Sequence, residues 1–224
     1  MTAVRPPSPA ASGAGERPGR ALAGLRERKK QRTRMALIDA ALDLFLAKGY
    51  EATTIDEIVA AVEVSQRTFF RYFATKEDVV TGFLAEFDQV LAEALTERPP
   101  GEPPFTALFE SLRVMVRTIA ESGPADIERF RRVRQVIEAT PALVAAQMAR
   151  YSASEKVLAT EIARRQGVDP ETDLRPQIIV GFHGAAARVA FEDCARRDIW
   201  DPATVAAQVE RTVGLARQTM RDWI

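Results

Sequence analysis

A short segment around residue 68 carries side chains that can hydrogen-bond to nucleic-acid bases. Phe69 and Phe73 are four residues apart, so in a helix both rings point to the same side and the opposite face is polar. That polar face consists of Gln66, Arg67, Thr68 and Arg71. Gln and Arg can make paired hydrogen bonds with adenine and guanine edges in the major groove. The spacing thus indicates a base-reading face, although any small helical bundle also has a solvated polar face.

Other kinds of chemistry have few candidate residues in this chain. The sequence contains one histidine, His183, and one cysteine, Cys194. These counts exclude an internal disulfide, a cysteine-based zinc module and a His-Glu-x-x-His metal motif. No nucleophile–base pair or phosphate-binding loop is recognisable, and Cys194 is expected to be a buried small hydrophobic residue. We therefore expect neither an enzyme nor a bound metal or cofactor.

The charges are unevenly distributed along the chain. The sequence has 31 basic and 31 acidic residues, yet residues 1–34 contain nine basic and two acidic ones. That segment carries a net charge of +7, and residues 35–224 carry −7. A basic end on an acidic body indicates a polyanionic partner, and a solubilising tail is an equally weighted alternative.

The sequence has no recognisable membrane or export segment. No uncharged apolar run approaches the roughly 18 residues that cross a bilayer. Pro6, Pro7 and Pro9 fall where the apolar core of a secretory signal would lie. We expect a cytoplasmic protein without a membrane partner.

The elements that position the polar face are predicted to be helices. Apolar residues recur with a period near 3.6 and strand-like alternation is missing, which predicts an all-α fold. Residues 1–24, rich in Pro, Gly, Ala, Ser and Arg, predict a disordered basic tail. No proline lies between Leu25 and Arg98, so helices can follow one another there.

Four helices are predicted in this proline-free part. The first ends before Gly49, and Thr53–Thr54 form an N-cap arrangement for the second. Ser65 caps the third helix, and Thr75 opens a fourth that runs to about Leu95. A short helix, a tight turn and a second short helix are the parts of a helix-turn-helix. Glycine and proline punctuation then predicts further helices near Phe105–Ser122, Ala125–Ala139, Ala142–Gln166, Leu174–Arg197 and Ala203–Asp222.

An ordered set of motifs identifies this region more closely. The motifs are Gly49-Tyr50, Thr53-Thr54, Ile58-Val59, Val64-Ser65, Phe70-Arg71-Tyr72-Phe73 and Lys76-Glu77. Together they make the stretch from Arg32 to Val80 resemble the DNA-binding domain of the tetracycline-repressor (TetR) family. The resemblance implies a helix-turn-helix domain at 25–80, after the tail at 1–24, and a helical effector-binding and dimerisation domain at 81–224.

The resemblance implies DNA contacts for particular residues. Thr53 places the N-terminus of the second helix against a phosphate, and Tyr72 and Lys76 hold the DNA backbone. Separately from the resemblance, the +7 charge of residues 1–34 predicts that residues 17–34 lie along the DNA. The residues facing base edges are Gln66, Arg67, Thr68 and Arg71, with Ser65 at the cap.

Two residues depart from the family pattern. Phe70 stands where the family usually has a tyrosine, so its ring packs on sugar or base methyl groups or one phosphate contact is lost. Glu63 replaces a common glycine between the second and third helices, where a left-handed backbone is often needed. A non-glycine residue in that conformation costs about 1 kcal/mol.

The C-terminal helices are expected to supply dimerisation and an effector pocket. In the family the last two long helices pair with those of a second subunit. Residues 181–187, Gly-Phe-His-Gly-Ala-Ala-Ala, fit such close packing, and a ligand against the backbone has about half that weight. His183 is either a satisfied interface residue, which we favour, or an effector hydrogen-bonding group. Each of the other lining candidates is by itself more often plain core; they are Phe83, Phe87, Phe109, Leu112, Met115, Phe130, Ile137, Met148, Tyr151 and Phe182.

An arginine cluster near residue 131 has two interpretations. It consists of Arg129, Arg131, Arg132 and Arg134. It could bind an anionic effector, but beside Glu128 and Glu138 a solvated, salt-bridged face is favoured.

The function expected from these patterns is regulation of transcription. We expect a homodimeric repressor that binds double-stranded DNA at an inverted-repeat operator. A small, largely apolar effector would release it by moving the fourth helix. The alternative is a helical small-molecule-binding or adaptor protein without specific operator binding.

Overall fold

The computed structural model describes residues 18–221, and within that range every regular element is a helix. This confirms the predicted all-α fold. The described helices are α1 (Pro18–Lys48), α2 (Ile55–Ala61), α3 (Gln66–Phe70), α4 (Asp78–Glu97), α5 (Pro104–Glu121), α6 (Pro124–Glu138), α7 (Pro141–Gln166), α8 (Arg175–Arg196) and α9 (Pro202–Arg221). Among them, no helix has the length and apolar character needed to cross a bilayer.

Residues 18–36 form one compact unit and residues 37–221 another. The first unit is helical from Pro18, so the disorder expected for residues 18–24 is not found there. The alanine, leucine and arginine residues of that stretch are strong helix formers, which favours this extension. The rest of the predicted tail, residues 1–17, lies outside the described residues.

The first part of the second unit is the helix-turn-helix, whose helices share a buried apolar core. Leu37, Leu42 and Ile58 are fully buried. Phe69 and Phe73 are buried as well, with ring centroids 5.5 Å apart, which confirms their predicted inward orientation. Each such ring contributes about 1.5–3 kcal/mol by leaving water, and the pair thereby fixes which face of α3 remains outside.

The turn between α2 and α3 depends on one left-handed residue. Glu63 has φ 55°, as predicted from the glycine common at this position. The amide of Glu63 donates to the Ala60 carbonyl at 3.2 Å, and that of Val64 donates to the Val59 carbonyl at 3.0 Å. The turn therefore keeps its hydrogen bonds at a conformational cost of about 1 kcal/mol.

Of the five helices described after residue 100, four begin one residue earlier than their patterns predict, and α8 begins one residue later. Four of them start at a proline, namely Pro104, Pro124, Pro141 and Pro202. Proline fits the first helical position because its fixed φ is helical and no hydrogen-bond donor is needed there.

Helix α4 belongs to both predicted domains. It continues through residues 80 and 81, between which the predicted domain boundary falls, so no linker separates the two parts. Its C-terminal half buries Leu91 and Leu95 in a core shared with α5, α7, α8 and α9. Leu108, Leu112, Ile162 and Val213 belong to the same core.

Candidate nucleic-acid interface and internal cavity

The N-terminus of α2 is fixed by a capping box. Thr54 Oγ1 accepts from the Glu57 amide at 3.3 Å, and Glu57 Oε2 accepts from the Thr54 amide at 2.8 Å. Glu57 also pairs with Lys48 at the end of α1. The hydrogen bond from Lys48 and those from Thr54 lower the pKa of Glu57 to about 2. This carboxylate therefore joins α1 to α2.

Thr53 stabilises the turn that precedes this cap. Its side chain is only 2% exposed, and Oγ1 donates to the Gly49 carbonyl at 2.9 Å. Of the two threonines in the predicted N-cap arrangement, Thr54 is the cap. A phosphate at this position would be bound by backbone amides, so the contact assigned to Thr53 remains a prediction.

The predicted base-reading residues lie on the outer side of α3. Gln66, Arg67 and Arg71 are exposed, opposite the buried phenyl rings. Ser65 caps the helix, since its Oγ accepts from the Thr68 amide at 3.2 Å and lies 3.1 Å from Thr68 Oγ1. The side-chain amide of Gln66 donates to Asp56 of α2 and is thereby held in place.

Two aromatic residues, Phe70 and Tyr72, extend this surface at the end of α3. Phe70 is half-exposed, with its ring edge-on to Phe69 at 5.5 Å. Arg71 Nη2 donates to the Tyr72 hydroxyl at 3.2 Å, and its guanidinium lies 5.0 Å from the centre of that ring. An exposed phenyl next to a guanidinium offers both an apolar and a charged contact.

Lys76 is held by the turn between α1 and α2. Its Nζ donates to the Tyr50 carbonyl at 2.6 Å and to the Thr53 carbonyl at 2.9 Å. The ammonium also lies 4.2 Å from the centre of the Tyr50 ring. An ammonium has three donors, so its phosphate contact remains a prediction, but Lys76 already joins the start of α4 to this turn.

The C-terminal helices enclose a cavity of about 450 Å³, within the range of small-molecule sites. The predicted lining residues that reach it are Phe87, Leu112, Met115, Phe130, Ile137, Met148, Tyr151 and His183. Phe83, Phe109 and Phe182 lie elsewhere. Phe83 packs on the rings of Phe87 and Phe130, Phe109 packs against the core, and Phe182 packs beside Phe105.

Polar groups on the cavity wall were not all predictable. Asp88 of α4 pairs with Arg150 of α7. Burial raises the pKa of Asp88, and Arg150 opposes that rise. The two residues are 62 positions apart, so no local sequence pattern marks them as partners. Gln147 and Tyr151 add a hydrogen bond of 3.1 Å on the same wall.

His183 is a buried titratable residue of α8. It is 3% exposed, it lines the cavity, and its Nε2 has no hydrogen-bond partner. Burial lowers the pKa of the imidazole to about 4, so the ring is neutral at pH 7. Cys194, eleven residues further on, is buried as predicted, and burial raises its pKa.

Two arginines of α6 bind α1. Arg129 Nε and Nη2 donate to the two carboxylate oxygens of Asp39 at 2.6 and 2.8 Å. Arg132 donates to the Asp39 carbonyl at 3.2 Å and to the Asp43 side chain. Arg134 pairs within α6 with Glu138, and Arg131 pairs with Glu128 of α6 and with Asp198, as expected for the salt-bridged face that was favoured.

The small residues of α8 face two directions. A Cβ at Gly184 would lie 3.2 Å from Oε1 of Glu155, so this glycine permits close approach of α7 in the same chain. Gly184 also lines the cavity, whereas Gly181 has open space around it. The position of Gly184 is compatible with a ligand against the backbone, and the favoured role in dimer packing remains a prediction.

An apolar stripe is exposed on α8 and α9. Ile178 and Val189 of α8 are 65% and 51% exposed, and Leu174 and Leu215 are exposed as well. Residues 174, 178, 185 and 189 have the four- and seven-residue spacing of one helix face.

In the described part of the chain, no group of His, Cys, Asp and Glu side chains could hold a metal ion.

The chain matches two family models. One, described as bacterial regulatory proteins of the tetR family, matches residues 37–81, and the other, the MftR C-terminal domain, matches residues 106–218. The HTH-type transcriptional regulator TcmR of Streptomyces glaucescens is 38% identical over 203 residues, which cover 89% of this chain and 90% of TcmR.

Solved structures share the fold at lower identity. NalD, the secondary repressor of the MexAB-OprM multidrug efflux pump in Pseudomonas aeruginosa, has a TM-score of 0.52 and 22% identity over 83% of this chain and 97% of its own. The SmeT–triclosan complex has a TM-score of 0.55 and 18% identity over 82% of this chain and 91% of its own. Because TcmR is related over nearly its whole length and both family models agree, the chain belongs to the TetR family of bacterial transcriptional regulators.

Proposed function

We propose that the chain is a homodimeric repressor that leaves an inverted-repeat operator when a small effector enters the C-terminal cavity. The observation that carries this proposal is the outer face of α3, where Gln66, Arg67 and Arg71 are exposed opposite two buried phenyl rings. Arginine and glutamine are the side chains that read guanine and adenine edges, and the capped α3 holds them at fixed positions.

The cavity supports an effector of low polarity. Its wall includes the aromatic rings of Phe87, Phe130 and Trp200 together with many aliphatic side chains. SmeT, which shares the fold, was solved with triclosan bound. A largely apolar molecule would bind in such a cavity chiefly by leaving water.

The exposed stripe on α8 and α9 supports a dimer. Exposed apolar side chains such as Ile178 and Val189 on α8, together with Leu215 on the adjoining α9, are typical of a protein interface. A second copy is the occupant proposed here, because a two-fold dimer presents two recognition helices to successive major grooves.

A continuous set of contacts joins the cavity to α3. Ile127, Phe130 and Ile137 of α6 line the cavity, and Arg129 of the same helix binds Asp39 of α1. The Lys48–Glu57 pair joins α1 to α2, and the Gln66–Asp56 hydrogen bond joins α2 to α3. An effector that moves α6 would therefore reposition the reading face, in addition to any motion of α4.

Selection of bound DNA from a random pool, with the full-length protein, tests this function. We expect enrichment of an inverted repeat whose half-sites lie about one helical turn apart or a multiple of it. Recovery of unselected DNA would favour the alternative, a helical binding or adaptor protein. A synthetic single half-site is the matched control and should bind much more weakly than the repeat.

A further inference from the structure

The polar atoms left without partners on the cavity wall define the chemistry of its ligand. His183 Nε2 is buried and makes no hydrogen bond. Arg150 Nε, which belongs to a second cavity-lining residue, is also buried without a partner. A buried polar atom without a hydrogen bond is unfavourable, so a ligand that supplies the missing bond gains affinity from it.

All the charged groups described on the same wall except Glu155 are paired with an opposite charge. Arg150 pairs with Asp88, Arg134 pairs with Glu138 at 2.7 Å, and Arg188 pairs with Glu192 at 3.0 Å. A ligand carboxylate would have to break one of these ion pairs or enter without a counter-ion. Glu155 is an exposed carboxylate on the wall, so its charge is screened by solvent and a buried ammonium would gain little from it.

We propose that the ligand is an uncharged, largely apolar molecule that carries a carbonyl or hydroxyl oxygen, and that this oxygen hydrogen-bonds to His183 Nε2 or Arg150 Nε. The proposal rests on the proposed function only in that it uses the same cavity. Arg150 Nε can only donate, so the matching ligand atom is an acceptor. The neutral state of His183 at pH 7 agrees with an uncharged partner.

Four diphenyl compounds of similar size test the proposal. Benzophenone has a carbonyl, diphenylmethane has no polar group, diphenylacetate is an anion and benzhydrylamine is a cation. Equilibrium dialysis of each against the full-length protein at pH 7.5 gives the affinities. We expect benzophenone to bind at least tenfold more tightly than either charged compound.

Variants of His183 separate hydrogen bonding from packing. We expect His183→Leu to lower benzophenone affinity about fivefold to tenfold while leaving diphenylmethane affinity unchanged or higher. His183→Gln, which keeps a polar group at that distance, should recover part of the loss. Phe182→Leu is the matched control, because Phe182 precedes His183 but does not line the cavity.

Three results would overturn the proposal. They are equal loss of both neutral ligands in His183→Leu, binding of a charged compound as tight as that of benzophenone, and no binding of any compound by the wild-type protein. Operator retardation with the same preparations is read separately. Failure of ligand binding with intact operator binding rejects the ligand class alone, whereas ligand binding without operator selection rejects the repressor function alone.

Discussion

At the scale of single residues, base reading and DNA-backbone contact are predicted to depend on different side chains. Arg67 and Arg71 lie on the exposed side of α3. We expect Arg67→Ala and Arg71→Ala each to lose about 1–3 kcal/mol against the preferred operator and to relax discrimination at one base pair per half-site. Binding profiles over an operator library measure both quantities. If both variants lose affinity equally for all operator sequences, other residues read the bases.

Lys76 has a structural role that its sequence motif does not reveal. Because its ammonium donates to the carbonyls of Tyr50 and Thr53, we expect Lys76→Met to lower the free energy of unfolding by about 2 kcal/mol. The substitution should also lower the affinity for every DNA sequence by a similar factor. Urea denaturation measures the first effect, with Lys29→Met, an exposed lysine of α1, as the control. Unchanged stability combined with weaker DNA binding would identify a phosphate contact alone.

His183 makes stability depend on pH in a defined direction. Its pKa in the folded protein is about 4, below the usual 6.5, because the ring is buried. As pH falls below 6.5, His183 becomes protonated in the unfolded chain but stays neutral in the folded chain until about pH 4. Folding is therefore progressively disfavoured over this range. We expect the wild type to lose about 3 kcal/mol relative to His183→Leu between pH 6.5 and 4. Urea denaturation of both proteins across that range measures the difference, and parallel pH profiles would contradict the assignment.

At the scale of helices, local sequence patterns predicted where helices begin and which face of α3 is buried. They did not predict which residues pair between helices. The i, i+4 spacing of Phe69 and Phe73 was enough to orient α3, and the prolines marked the starts of four helices to within one residue. These features depend on neighbours within a turn of helix. The Arg129–Asp39 contact joins residues 90 positions apart, and only the packed structure determines it. The same applies to the Asp88–Arg150 pair, which no spacing rule could place on the cavity wall.

The contact between α6 and α1 makes a prediction about coupling. If the Arg129–Asp39 pair holds the DNA-binding helices against the cavity wall, Asp39→Asn and Arg129→Gln should change operator affinity by the same amount. The double variant should change it no further, which gives a coupling energy of about 1–3 kcal/mol. Operator titrations of the four proteins complete this cycle. Arg131→Gln, which breaks exposed pairs with Glu128 and Asp198 and none with α1, is the control and should have little effect.

At the scale of the whole molecule, the two ends of the chain have different surface properties, basic near the N-terminus and apolar on α8 and α9. Residues 28–34 contain five basic side chains and no acidic one, which suits an approach to DNA. The apolar stripe of α8 and α9 would be unfavourable in water on a lone subunit. A symmetric dimer would meet both requirements, because burial of the stripe would join two DNA-binding domains on one operator.

The dimer is tested most directly at Ile178. Its side chain is 65% exposed, so Ile178→Arg should leave the fold of the single chain intact. In an apolar two-fold interface the substitution introduces two unpaired charges, and we expect dimer affinity to fall at least 100-fold. Operator affinity should fall with it, because each subunit would then bind one half-site alone. Sedimentation velocity measures the first effect and operator titration the second. Val157→Arg, at a 56% exposed apolar residue of α7, is the matched control. If both variants sediment as the wild type does, the stripe is not the interface, and the second reading head must be positioned by another surface.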